Sequence, residues 1–218
     1  MPEQEISRVS MTTEEIQAAN LGAAPKLNGQ VTLREHDPRW SRVFEAEAAS
    51  MGERLGVLDH RIEHVGSTSV PGLPAKPVID MLLIVPDSGD EAAYVPALEP
   101  LGFTLAIREP DWYEHRLLRK RFPDERAHSA ETVNLHVLPA GCPEIDRMLL
   151  FRDRLRTHDG DRTLYADTKR TLSRQTWEYM QNYADAKSEV VAGILERAAA
   201  AEAATAAAAD TAAGTAAD

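Results

Sequence analysis

The sequence has 218 residues, one cysteine and a formal net charge of −11 at pH 7, from 35 acidic and 24 basic side chains. This charge argues against nonspecific binding along a nucleic-acid backbone or an anionic membrane, and one cysteine cannot form an internal disulfide. Because no apolar stretch is long enough to cross a bilayer and the N-terminus does not resemble a signal peptide, the sequence predicts a soluble cytoplasmic protein.

The two ends of the sequence differ in composition from its middle. Residues 1–28 are polar without sustained periodicity, and we expect them to be disordered. Residues 198–218 are mostly alanine, a low-complexity tail that the last helix can enter but that has no large apolar side chain with which to dock. The sequence therefore predicts one folded domain over residues 29–197, and it predicts that residues 1–26 and 202–218 can be deleted with little change in stability.

Along the chain, short apolar runs alternate with amphipathic segments. Apolar runs and period-two patterns predict strands, whereas apolar residues three and four positions apart predict helices. The predicted strands cover residues 31–35, 62–65, 78–85, 103–107, 113–118 and 132–138. One predicted helix begins after Asp37-Pro38, and others cover residues 91–101, 143–156, 162–174 and 184–200. We expect Pro96 to bend or divide the helix over residues 91–101, and residues 122–130 are predicted to form a loop.

A polar segment rich in proline, residues 66–77 and here called the elbow, joins two of the predicted strands. Gly66 permits backbone conformations and close approaches that a Cβ would forbid. Hydroxyls and backbone amides follow it at Ser67, Thr68 and Ser69. A turn that opens with Gly-Ser after a strand can bind an anion through its amides, and Lys76 can add a positive charge.

Asp80 is a single carboxylate in an apolar predicted strand, where burial is costly without a partner. It can be a metal ligand, a general base or a cap for the amides of the elbow. His136 lies two residues after Asn134, so both side chains share one strand face and can bind a ligand or be structural. Glu63 and His64 point to opposite faces of their predicted strand, so one of them at most can face the same site.

Residues 116–121 form the most basic stretch of this acidic chain. We expect Arg116 and Arg119 to contact phosphate, while the alternative is a solvated strand edge protected by charge. Lys169 and Lys187 lie on predicted helices and are ambiguous, although helix lysines that face solvent are the commoner case.

The segment EHVGSTSVPGLPAKPVID, residues 63–80, resembles the signature of the GrpB family, a group of bacterial proteins with a nucleotidyltransferase-like fold. The resemblance continues through HRLLR, NLHVL, FRDRLRTH, YADTK and YADAKSEVV, so that it covers residues 30–197. It implies an α/β (α+β) domain with a mixed, strongly twisted sheet covered by helices. A helical C-terminal part would close one side of a cleft.

The resemblance also implies a metal site, from which this sequence departs at two positions. In the wider superfamily a Gly-Ser pair is followed by two carboxylates that gather Mg²⁺, but Leu82 occupies the second carboxylate position here. Members of the family often carry His-x-His on the later strand, where this chain has Asn134 and His136. The implied cofactor is a divalent metal, either Mg²⁺ or Mn²⁺, or a transition metal such as Zn²⁺ bound by Asp80 and His136 with Glu63 or His64 as a further ligand.

For function, the resemblance implies a nucleotidyltransferase-like protein that binds a nucleoside triphosphate at Gly66-Ser67 and moves its nucleotidyl group to a small acceptor. Asp80 and His136 would be the catalytic residues. Two alternatives remain open at this point. One is a catalytically degenerate sensor of a nucleotide or another ligand, and the other is a metal-dependent enzyme of a different reaction class that uses the Asp/His site.

Overall fold

A computed structural model of the chain describes residues 10–124 and 130–215. The first half contains α1 (Thr13–Ala19), β1 (Lys26–Gly29), α2 (Arg39–Leu55), β2 (Arg61–Val65), β3 (Val78–Val85), α3 (Val95–Leu98) and β4 (Thr104–Glu109). The second half contains β5 (His115–Arg121), β6 (Thr132–Pro139), α4 (Pro143–Thr157), α5 (Asp159–Ser173), β7 (Trp177–Tyr179), α6 (Met180–Asp185) and α7 (Ser188–Thr215). Within these residues, no helix has the length and apolar character that a bilayer span requires.

The larger sheet has the strand order β2-β3-β6-β5-β4. Its central strands β3 and β6 are parallel, while the other neighbouring pairs are antiparallel. The predicted mixed sheet covered by helices is therefore confirmed. The register pairs Asp80 with Val65 on one side and with Asn134 on the other, so the elbow lies directly beside the strand position that carries the carboxylate.

The two faces of this sheet differ in character because side chains alternate along each strand. One face packs against α2 and α3 and forms the main core, in which Trp40, Met81 and Val133 are fully buried. The opposite face carries the residues of the other parity, including Asp80 and Asn134, and it lies beneath the C-terminal helices. We call this opposite face, which carries Asp80 and Asn134, the functional face of the sheet. The alternation predicted for residues 132–138 thus separates side chains of the apolar core from side chains of the functional face.

A buried carboxylate ties the C-terminal helices to one another. Asp161 of α5 accepts a hydrogen bond from Nε of Arg154 on α4 at 2.6 Å and another from Nε of Arg197 on α7 at 2.9 Å. Burial alone would raise the pKa of Asp161, but the hydrogen bonds from the two arginines hold it below its usual value. Because the same helices pack apolar side chains against Val70 and Leu73, they fix the outer side of the elbow.

The structure corrects the prediction of disorder for residues 10–28, whereas residues 1–9 lie outside the described part of the chain. Thr12 and Glu15 form a capping box at the start of α1, and Ile16 packs in a small apolar cluster with Tyr179. Strand β1 pairs antiparallel with β7. These short elements depend on tertiary contacts, which local periodicity does not report.

Other element boundaries also differ from the predictions. The predicted strand 31–35 is reduced to a single bridge between Arg34 and Ala75. The predicted helix 91–101 is divided, as expected from Pro96, into α3 and two flanking 3₁₀ turns, because proline has no amide to donate. Strand β7 and helix α6 were not predicted, and residues 125–129 of the predicted loop lie outside the described residues.

Candidate functional site

A cavity of about 360 Å³ lies between the functional face of the sheet and the C-terminal helices. Its polar end is formed by the elbow, the central strands and two later helical segments. The charged or polar side chains that line this end include Lys76, Asp80, Arg119, His136, Lys169 and Lys187.

The elbow requires glycine at position 66 for two reasons. Gly66 has φ +67°, and a Cβ at this position would lie 2.5 Å from Oδ2 of Asp80. The backbone at position 66 can therefore lie this close to the carboxylate of Asp80 only because glycine has no side chain. Ser67 follows at the start of a 3₁₀ turn, Ser67–Ser69, and lines the cavity. Both predicted residues of the Gly-Ser pair are thus brought to the cavity.

The next two hydroxyls serve the elbow itself. Oγ1 of Thr68 is hydrogen-bonded to Nε2 of His64 at 3.1 Å, and Oγ of Ser69 donates to the carbonyl of Gly66 at 2.6 Å. Neither residue lines the cavity. The predicted anion-binding set is therefore smaller than the sequence indicated, because a 3₁₀ turn has about three residues per turn and its three side chains point in different directions.

Asp80 lies at the centre of the polar end. Its Oδ1 accepts a hydrogen bond from Nδ2 of Asn134 at 3.1 Å, and Oδ1 of Asn134 accepts one from Nε of Arg119 at 3.3 Å. Burial raises the pKa of Asp80, and the charge of Lys76 opposes that shift. The described side-chain partner of this carboxylate comes from the neighbouring strand, so the alternative of a cap on the elbow amides gains no support.

His136 belongs to a hydrogen-bonded chain that also contains His115 and Glu109. Nδ1 of His115 lies 2.7 Å from Oε2 of Glu109, and Nε2 of His115 lies 3.0 Å from Nδ1 of His136. These contacts fit an arrangement in which the Nδ1–H of His115 donates to Glu109 and the Nδ1–H of His136 donates to Nε2 of His115. The chain can therefore receive a proton at His136 while Glu109 stabilises the resulting charge.

Sequence reasoning missed Glu109 and His115. A signal for His115 was present, because His115, Leu117 and Arg119 alternate along β5 and share the face on which His136 lies in β6. The strand register was needed to bring Glu109 opposite His115.

Lys169 and Lys187, which the sequence left ambiguous, both line the cavity. Lys169 is 2% exposed and donates to Oγ of Ser67 at 3.0 Å and to the carbonyl of Pro74. Lys187 donates to the carbonyl of Tyr183 at 2.6 Å.

A repeated motif could have revealed the two lysines. The sequence contains Tyr-Ala-Asp-x-Lys twice, ending at Lys169 and at Lys187. In each copy the ammonium lies over the ring of the tyrosine four residues earlier, at 5.0 Å from the centroid of Tyr165 and 3.7 Å from that of Tyr183. Such contacts between a cation and an aromatic face stabilise a buried ammonium group.

Burial lowers the pKa values of these lysines, and their mutual repulsion adds to the effect. The pKa values of Lys169 and Lys187 each fall to about 7, first through burial and then through the nearby charge of Lys76. Burial also lowers the pKa of Lys76, although Asp80 opposes that shift. Bringing three ammonium groups together in this way is unfavourable for the empty protein, and an anion between them would relieve the repulsion.

The structure separates the two arginines that the sequence predicted to act together. Arg119 lines the cavity, whereas Arg116 lies on the other face of the sheet, where its Nε donates to Oε1 of Glu91 at 2.7 Å. The prediction for Arg116 is wrong because residues an odd number of positions apart point to opposite faces of a regular strand.

Glu63 and His64 also lie outside the cavity. Oε2 of Glu63 accepts a hydrogen bond from Nη1 of Arg152 at 2.7 Å. The ring of His64 stacks on Phe44 at a centroid distance of 4.7 Å, and its pKa falls to about 3 through burial and the charges of Arg156 and Arg152. These two residues therefore belong to the scaffold, and the structure does not bring them to Asp80.

The donor set of the cavity does not fit a resident divalent metal. In the described ranges, no group of three or more His, Cys, Asp or Glu side chains is arranged to hold a metal ion. Asp80 and His136 both line the cavity, but Lys76, Lys169 and Lys187 surround the carboxylate and would repel a cation. The site is better suited to an anion than to Mg²⁺, Mn²⁺ or Zn²⁺.

The mixed five-stranded sheet, the Gly-Ser elbow and the strand-borne carboxylate place the chain in the α/β class of proteins. Comparison with known proteins identifies the family within that class. The family described as GrpB protein matches residues 30–197, and the chain belongs to this family.

Two curated relatives and one solved structure illustrate the similarity. The chain is 50% identical over 187 residues to the UPF0157 protein BH1888 of Halalkalibacterium halodurans, and the match covers 86% of this chain and 92% of the relative. It is 39% identical over 194 residues to the UPF0157 protein SCO7215 of Streptomyces coelicolor, covering 89% and 95%. The crystal structure of the conserved protein GrpB from Enterococcus faecalis matches with a TM-score of 0.65 at 30% identity, covering 77% of this chain and 96% of that one.

Proposed function

We propose that the protein binds a nucleoside triphosphate in this cavity and transfers its nucleotidyl group to a hydroxyl of a small acceptor. The observation that carries the proposal is the convergence of Lys76, Lys169 and Lys187 on Ser67 and Asp80 at one end of a single cavity. A triphosphate is the common cellular anion whose charge matches several clustered ammonium groups. The resemblance of the GrpB family to nucleotidyltransferase-like proteins supports the same class of ligand.

In this proposal the polar end binds the phosphates. Lys169 reaches the site through its hydrogen bond to Oγ of Ser67, so a phosphate oxygen placed at Ser67 would also contact the ammonium group. Arg119 lies on the neighbouring strand and can neutralise further charge. Asp80 holds the lysines near the elbow by attraction, because its charge favours the protonated forms of Lys76, Lys169 and Lys187.

The chain Glu109, His115 and His136 supplies a base for the acceptor. The acceptor hydroxyl oxygen would form a bond to the α-phosphorus, pyrophosphate would leave with the electron pair of the broken P–O bond, and the hydroxyl proton would pass to the imidazole of His136. Glu109 stabilises the resulting positive charge through His115. Asp80 shares this face of the sheet and orients the acceptor by accepting a hydrogen bond.

A second candidate function is a nucleotide sensor without transferase activity. Leu82 favours it, because this residue is fully buried at the position where the superfamily places its second carboxylate. The two functions share the binding step and differ in turnover. Release of pyrophosphate from a bound nucleotide would support the transferase, whereas saturable binding without release would support the sensor.

The proposal predicts that Ser67→Ala weakens binding of ATP about tenfold, the loss of one hydrogen bond to a charged group. Ser41→Ala is the matched control because Ser41 is exposed on α2, and it should leave the affinity unchanged. Titration calorimetry of the wild type with ATP, GTP, CTP and UTP identifies the best ligand before the variants are compared. Equal affinities of Ser67→Ala and the wild type for that ligand would remove the elbow from the binding site.

Binding is also expected to take up protons near pH 8. The pKa values of Lys169 and Lys187 are about 7 in the free protein, so both are largely neutral at pH 8, and bound phosphate raises these pKa values by stabilising the charged forms. Of the other charges that act on them, Lys76 and Arg170 lower these pKa values, whereas Asp80 and Asp185 raise them. The affinity should therefore fall as the pH rises from 7 to 9. Calorimetry at pH 8 in buffers of different ionisation enthalpy measures the uptake, and identical heats in all buffers would contradict it.

A further inference from the structure

The cavity has a second, apolar end that is formed largely by residues before the family domain. Met11, Ile16, Ala19 and Ala24 line it from the N-terminal side, together with Ile107 of β4 and Tyr179 of β7. The family match begins at residue 30, so these four N-terminal residues lie outside it. We refer to residues 11–25 as the N-terminal segment.

Hydrogen bonds hold the N-terminal segment across the opening between the sheet and the C-terminal part. The amide of Leu21 donates to the carbonyl of Ala106 on edge strand β4 at 2.9 Å. Nε2 of Gln17 donates to the hydroxyl of Tyr179 at 3.0 Å, and the amide of Met11 donates to Oδ2 of Asp185 at 3.0 Å. The segment is therefore fastened on both sides of the cavity.

The two ends of the cavity differ in chemistry, and one ligand must satisfy both. The elbow and the lysines favour an anion, while the N-terminal segment offers mainly methyl, methylene and thioether groups together with the side-chain amide of Asn20. A continuous cavity with one charged and one apolar end fits a ligand whose phosphates are attached to a flat, weakly polar ring.

We propose that the N-terminal segment completes a subsite for the base of the nucleotide, so that it determines how much tighter a nucleotide binds than its phosphates alone. This inference rests on the proposed function, since it assumes that the phosphates occupy the polar end. The family domain supplies the phosphate-binding end, and the segment before it supplies the base-binding end.

The test compares ATP with inorganic tripolyphosphate, which has the phosphates without the nucleoside. We expect the wild type to bind ATP at least about tenfold tighter than tripolyphosphate, because the base buries apolar surface in the subsite. Ala19→Trp fills the apolar end and should bring the affinity for ATP down to that for tripolyphosphate, while the affinity for tripolyphosphate stays unchanged. Calorimetry with both ligands measures these affinities.

Ala18→Trp is the matched control, because Ala18 is the adjacent residue of α1, is exposed and does not line the cavity. It should leave both affinities unchanged. Ala19→Leu makes a smaller change at the same half-buried position and should reduce the ratio of the two affinities in the same direction. Retained binding of tripolyphosphate shows in each case that the variant is folded.

The outcomes separate this inference from the proposed function. If the wild type binds tripolyphosphate and ATP equally well, or if Ala19→Trp lowers both affinities by the same factor, the base subsite is overturned while phosphate binding stands. If neither ligand binds to the wild type, the proposed function fails and the subsite fails with it.

Discussion

Lys169→Gln is expected to weaken ATP binding at pH 7 by between about tenfold and 150-fold, the range expected for a charge-assisted hydrogen bond of about 1.5–3 kcal/mol. Glutamine can still donate to Ser67 and to Pro74, so the substitution removes the charge while keeping a donor near both partners. Stability should not fall, because an ammonium group that is 2% exposed is costly to bury and is opposed by Lys76. Calorimetry and thermal unfolding measure the two effects.

Lys26→Gln is the matched control for this substitution. Lys26 pairs with Glu178 on the surface and does not line the cavity, so the variant should bind ATP as the wild type does. A loss of affinity in both variants would indicate a general effect of net charge. An unchanged affinity in Lys169→Gln would show that the lysines do not hold the phosphates.

Gly66→Ala is expected to give the largest loss of stability. The positive φ with an extended ψ is open almost exclusively to glycine and costs other residues about 1–3 kcal/mol. The added Cβ would lie 2.5 Å from Oδ2 of Asp80 and 2.9 Å from its Cβ, and such overpacking costs about 1–3 kcal/mol more. The free energy of unfolding, measured by chemical denaturation, should therefore fall by roughly 2–6 kcal/mol.

Gly72→Ala separates the two contributions. Gly72 also has a positive φ, +76°, but a Cβ there would meet nothing within 4 Å. It should destabilise the protein less than Gly66→Ala, by the cost of the backbone conformation alone. Equal losses in the two variants would mean that the contact between Gly66 and Asp80 does not determine the residue at position 66.

Local patterns predicted the parts of the fold that depend on strand alternation. The apolar run 78–85 and the alternating run 132–138 became the two parallel central strands β3 and β6, with Asp80 and Asn134 opposite each other. The Gly-Ser pair predicted a turn beside the site, and Gly66 and Ser67 both line the cavity. Glycine is needed there because the backbone passes close to the carboxylate of Asp80. Asp80 and His136 were singled out as polar residues on apolar strands, and both line the cavity.

The parts of the site and fold that were not predicted from the sequence depend on contacts between distant segments. Lys169 and Lys187 could not be told from ordinary helix lysines. For Lys169 the reason is that α5 has polar residues on several sides, and only its packing against the elbow shows which side is buried. Glu109 and His115 required the register of β4 against β5. The N-terminal segment has few large apolar residues, and contacts with Tyr179 and with the edge of β4 hold it in place.

The most direct test is a calorimetric titration of the wild-type protein with ATP in EDTA, repeated with excess Mg²⁺. The lysines replace a metal in this account, so ATP should bind saturably in EDTA with an affinity at least as high as in Mg²⁺, because free triphosphate carries more negative charge. Binding that appears only when Mg²⁺ or Mn²⁺ is added, or no binding under either condition, would contradict it.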